Sequence, residues 1–144
     1  MTTWQAFQVI AFQSLHVVAR YAWPVSGALI LGAVSAVVIG APLRDPRFRR
    51  RVWLLLVTYV IPVAVIGVGA LLRYDGPRTE YVEPAIWRAI VLWGVVLAHV
   101  IAIVVAVFLM RGSRIRAAAV GLPGIWLSLS TGFVAAFAIA GVGP

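Results

Sequence analysis

Cysteine is absent from this 144-residue chain. Its absence excludes disulfides, thiolate metal sites, iron–sulfur clusters and covalently attached c-type haem. Lysine is absent too, so all twelve basic residues are arginine. Met1 and Met110 are the only methionines, too few to line a copper path. Charge of either sign is thin, at 11% of residues, where a soluble domain carries about a quarter. Acid is the scarcest. The four carboxylates, Asp45, Asp75, Glu80 and Glu83, all fall between apolar runs. No carboxylate dyad or intramembrane proton relay can be built from them. The stretches "GVGALL" and "GVGP" lack the phosphate-loop pattern. The small hydroxyls have no base nearby except the two histidines, so no catalytic constellation is expected.

What the chain has in abundance is apolar surface, with 63% hydrophobic residues. Four runs stand out, at about 9–41, 52–72, 89–110 and 117–143. At ~1.5 Å per residue each can span a hydrocarbon core of ~30 Å. The runs are continuous rather than alternating, which argues against barrel strands. The expectation is a single integral membrane domain over 1–144. It is all-α, with four transmembrane helices in an up-down bundle and an amphipathic N-terminal helical extension. Pro62 and Pro123 fall inside spans and are expected to kink them. The N-terminus lacks a basic region and a small-residue cleavage site, so no removable leader is expected.

A net charge of +8 would suggest nucleic acid in a soluble protein. Here the arginines cluster between apolar runs and report topology instead, so no nucleic-acid partner is expected. The segment 42–51 holds Arg44, Arg47, Arg49, Arg50 and Arg51, and 111–116 holds Arg111, Arg114 and Arg116. The segment between the second and third spans balances arginine with acid. The positive-inside rule puts 42–51 and 111–116 in the cytoplasm and both termini outside. The location read from this pattern is a membrane, specifically a prokaryotic inner membrane.

The first run opens on "TWQAFQVIAFQSLHVVAR", residues 3–20. On a helix, Gln5, Gln8, Gln13, His16 and Arg20 fall within an arc of about 140°. Two arrangements are open. Residues 3–20 can lie flat on the outer surface while 22–41 cross. Alternatively, a tilted helix begins crossing near Val9 and bends at Pro24, with the polar stripe turned inward. His99 stands in the middle of the third run, with no acid in that run. A neutral imidazole there must hydrogen-bond something or bind something. Thr58, Ser128, Ser130 and Thr131 are available as bonding partners. The other reading is an axial ligand to haem, which helix bundles supply from facing helices. His16 and His99 are the only histidines, so a bis-histidine site within one chain would need both.

"LHVVARYAWPVSG" resembles the first helix of the four-helix membrane family that includes HemJ-type protoporphyrinogen oxidases and copper-resistance D domain proteins. His16, Trp23 and Gly27 match a histidine, a tryptophan seven residues on, and a small-residue turn. Pro62, His99 and Pro123 match later positions in order. The resemblance implies a four-helix fold and haem b binding, with His16 as the carried-over ligand. The oxidases carry a third-helix lysine and an acid near the fourth-helix proline. This chain has no lysine, and the fourth-helix stretch reads "AVGLPGIW". The resemblance therefore carries the fold and the haem rather than the oxidation.

These features lead to a small integral membrane subunit of a larger membrane complex, respiratory or otherwise electron-transferring. Haem b would be bound through His16, His99 or both as iron ligands. Arg20, one turn beyond His16, is placed to pair a haem propionate. The expected partners are the lipid bilayer and other membrane subunits. The alternatives are a purely structural accessory subunit without cofactor, and a small transporter or channel.

Overall fold

The computed structural model describes residues 2–38, 46–73 and 86–141. Every described element is helical. Helix α1 (Thr3–His16) runs into a π-helical turn over Val17–Tyr21, and α2 (Trp23–Val38) follows. After these come α3 (Pro46–Thr58), α4 (Val60–Leu71), α5 (Ile86–Leu109) and α6 (Arg114–Ile139). Three segments are long and apolar enough to cross a membrane: Val52–Leu71, Ile86–Leu109 and Arg114–Ile139. A fourth is added if α1 and α2 form one broken span, which bends by 89°. Arg44 and Asp45, and the polar segment 74–85, lie outside the described residues. Arg47 to Arg51 belong to the start of α3, and Arg114 and Arg116 to the first turn of α6. The basic residues therefore overlap the starts of these two helices.

The breaks have local causes. Proline lacks an N–H and is best tolerated in a helix's first turn. Pro24 and Pro62 occupy such positions in α2 and α4. Upstream of Pro24 the ladder widens, and Ala22 N donates to Val17 O at 3.0 Å, five residues back. Upstream of Pro62 it tightens, and Tyr59 N donates to Leu56 O at 3.1 Å, three back. Pro123 lies inside α6, which continues through it. Thr2 caps α1 with a reciprocal box, its side chain accepting from Gln5 N while its own N–H donates to Gln5 Oε1.

Helix α6 is the hub, touching α1, α2, α3, α4 and α5. Its sequence explains this. Gly121, Gly124, Ser128, Ser130, Thr131, Gly132 and Ala135 are all buried, and small side chains let helix backbones approach closely. A methyl added at Gly69 of α4 would lie 2.5 Å from Ala135 Cβ and 3.2 Å from Ala135 Cα. One core joins α1, α4, α5 and α6 around Ile10, Val65, Leu92, Val96 and Ala135. A second joins α3, α5 and α6 around Leu55, Ile103, Met110 and Ala117.

Candidate functional site

The two histidines meet α6 at different levels. His99 projects from α5 and is fully buried. Its Nδ1 is hydrogen-bonded to Ser128 Oγ, so Ser128 is the partner among the four hydroxyls that the sequence offered. Its Nε2 has no partner. Gly124 keeps the ring close, since a methyl there would stand 3.5 Å from His99 Cε1 and 3.4 Å from Tyr59 Cζ. Tyr59 Oη donates to Val120 O, and the Gly124 N–H points at the Tyr59 hydroxyl. The phenol thus inserts into the α6 ladder between Val120 O and the Gly124 N–H, next to Pro123. Sequence reading missed this role for Tyr59. The available signal was a tyrosine three residues before Pro62, at the break that turns its side chain toward α6.

His16 is half-buried at the end of α1. It forms one wall of a groove of about 510 Å³, with Phe12 and Gln13 beside it and Phe133, Val134 and Phe137 opposite on α6. Its ring lies 6.4 Å from that of Phe12 at 19°, and 5.7 Å from Tyr21 edge-on at 73°. Phe133 and Phe137 meet edge-to-face at 4.8 Å. Gln13 and His16 are the only polar lining residues. Among the described residues neither ring nitrogen of His16 has a hydrogen-bond partner. Arg20 is exposed one turn further on.

His16 meets α6 around Val134, and His99 around Gly124 and Ser128. That offset, about eight residues, is about 12 Å along the helix. The structure does not bring the two imidazoles to one point. The polar stripe of α1 does not face the core either. Gln5, Gln8 and Arg20 are exposed, Gln13 and His16 half-buried, while the buried face is Ala6, Ile10 and Ser14. The break at Ala22 turns α2 by 89° from the direction of α1.

The break itself is stitched by side chains. Ser26 Oγ lies 3.0 Å from both Val18 O and Ala22 O, and accepts from Trp126 Nε1 of α6 at 3.0 Å. Trp23 packs over Gly27 one turn on. Among the described residues no group of three or more His, Asp or Glu gathers as a metal site. A haem needs less from the protein: a neutral imidazole and an apolar seat. The donor set at His16 fits that need, whereas the free Nε2 of His99 is fully enclosed among packed side chains, with no room for a macrocycle beside it. No protein-family model, curated protein or solved structure matches this chain.

Proposed function

We propose that the chain is a small integral membrane subunit of an electron-transfer complex and that His16 would hold the iron of haem b. The observation that carries the haem reading is an unpartnered imidazole on the wall of an aromatic groove. Phe12, Phe133 and Phe137 offer a macrocycle apolar contact, and Arg20 is exposed where a propionate can reach it. When bound, haem b supplies one-electron chemistry. The chain's own residues bind it, orient it and keep water from one face. His99 is a packing residue in this reading, holding α5 to α6 through Ser128.

The same reading makes the helices an up-down bundle crossing four times, with α1 at the outer surface. Both termini face outward and the arginine-rich segments 42–51 and 111–116 face the cytoplasm of a prokaryotic cell. Large apolar side chains cover the outside of the fold, among them Leu31, Leu97, Ile101 and Phe108, which suits lipid and neighbouring subunits. One further observation favours a cofactor-free accessory role as the second reading. Gly32 and Gly94 have open space where a side chain would stand, so they serve no packing inside the chain. Such positions suit close approach of a partner helix.

The test is a reduced-minus-oxidised absorption spectrum of the chain purified in mild detergent from its own membranes. The expected result is a b-type α band that His16→Ala abolishes and His99→Ala preserves. A folded but colourless protein, or a band unchanged in His16→Ala, overturns the haem reading and leaves the accessory one.

A further inference from the structure

Helix α1 is held by several hydrogen bonds at its root, by one exposed hydrogen bond at its tip, and thinly in between. At its tip Arg73 Nη1 donates to Thr2 O at 2.8 Å. At its root the Ser26 hydroxyl and the Trp126 indole hold the turn together. Between these fastenings only Ala6, Ile10 and Ser14 are buried. Phe12 and Leu15 are exposed, and Ser14 Oγ is buried without a partner. Ile10 is the one large side chain among the three, so the buried face of α1 is small. An unpaired buried hydroxyl also works against the seat it occupies. The root is a π-helical turn, a feature that recurs at functional sites. It ends on Ala22 at φ −108°, ψ 15°, between the regular backbone regions.

We propose that α1 is a strap that swings about the Val17–Ala22 turn, away from α6. Opening admits a planar, apolar, imidazole-binding ligand from the lipid side to the groove between His16 and the Phe133–Phe137 pair. Closing captures it. His16 is the residue before the hinge, and Phe133 and Phe137 belong to the helix that stays put. A ligand touching both bridges strap and body, so it favours the closed state by its differential contacts. Trp126 is the latch of the root, and the stranded Ser14 hydroxyl keeps the closed state from being too stable to open. The inference deepens the haem reading, since it concerns the same groove, but its first test needs no haem.

The chain has no native cysteine, so two introduced ones give a clean spin-label pair. Gln8→Cys on α1 and Leu97→Cys on α5 are both at exposed positions. Gln8 stands about 20 Å of helix from the hinge, so a swing of about 30° moves it by about 10 Å. Double electron–electron resonance in lipid nanodiscs is expected to give two distances differing by about that much. Ser14→Ala is expected to shift the population toward the shorter distance at least about fivefold. Trp126→Phe is expected to shift it toward the longer one. Added hemin is expected to favour the shorter distance in the wild-type background and to have no effect in His16→Ala. A single distance that neither substitution moves, or a Ser14→Ala shift toward the longer one, overturns the strap. Two responsive distances with no effect of hemin keep the strap and sink the haem reading. A haem band with one immobile distance does the reverse.

Discussion

Gly69 offers the sharpest test of how the helices are held together. An ideal methyl at this position meets Ala135 Cβ at 2.5 Å and Ala135 Cα at 3.2 Å. Carbon atoms prefer about 3.5–4.0 Å, so α4 and α6 must part by about 1 Å to admit Gly69→Ala. The obstruction includes backbone, which no rotamer change can move. A radial gap of that size forfeits a quarter to a half of each contact's dispersion energy, along a seam that includes Val65, Ile66 and Val134. Overpacking of this kind costs about 1–3 kcal/mol. Gly67, two residues earlier on the same helix, has nothing within 4 Å of its added methyl. Both alanines gain the same helix propensity, so that contribution cancels between them. Gly69→Ala should therefore be less stable than Gly67→Ala by about 1–3 kcal/mol, a factor of about five to 150 in unfolded fraction. The assay is reversible unfolding in mixed detergent micelles, titrated with dodecyl sulfate. The double variant Gly69→Ala with Ala135→Gly restores the space and should recover most of the loss. Equal stability of the two single alanine variants would refute the close α4–α6 contact.

Three further outcomes follow from other contacts. His99→Ala empties a fully buried site and strands Ser128 Oγ, and should cost about 2–4 kcal/mol. Ser128→Ala should cost less, about 1–2 kcal/mol, because the ring still fills its space; the same titration ranks them, and the reverse order contradicts the assigned bond. Tyr59→Phe removes the hydroxyl at Val120 O beside Pro123 and should cost about 0.5–1.5 kcal/mol. It should also speed hydrogen exchange at the Gly124 amide while leaving distant amides alone, and unchanged exchange there would show that the phenol is not in the ladder. Single cysteines placed at Gly112 and at Thr3 should react with membrane-impermeant maleimide from opposite sides of the membrane. Labelling of both from one side removes the proposed topology.

The helical class and the three long apolar segments were legible in the sequence because each rests on composition and length alone. Pro62 also did what its position announced, since a missing N–H has a local effect. At Pro123 the helix continues, flanked by all five other helices, and Tyr59, brought there by the break at Pro62, donates to the Val120 carbonyl close to the proline. The first run was legible as too long for one crossing. So was the place of its break, which both arrangements set between Arg20 and Pro24; the right angle was not, because it depends on the Ser26 hydroxyl bonding Val18 and Ala22 and on Trp126, a hundred residues away. His99 was legible as a residue needing a partner, but choosing Ser128 over Thr131 required the rotation of α6. The polar stripe of α1 was legible as a stripe. Its direction was not, because the small side of α1, Ala6 and Ser14 flanking Ile10, is what fits against Gly69 and Ala135.

That last fit explains why the two histidines have such different surroundings. Helix α6 buries most of its small residues, and where its glycines are buried a neighbouring helix comes close. At Gly124 the neighbour is α5, and the close approach shuts His99 in. Above Val134 the small residues face α4 and α1, while Phe133 and Phe137 face outward. Two aromatic rings on that outer face hold the end of α1 off α6, and the space between them is the groove. His16 is half-open for the same reason that His99 is closed: the size of the α6 side chains opposite. Replacing Phe133 and Phe137 by alanine should therefore let α1 settle onto α6 and narrow the groove, rather than enlarge it. The short spin-label distance between Gln8→Cys and Leu97→Cys is expected to shrink in that double variant. A longer or unchanged distance would mean that the groove is set by the bend at Ala22 alone.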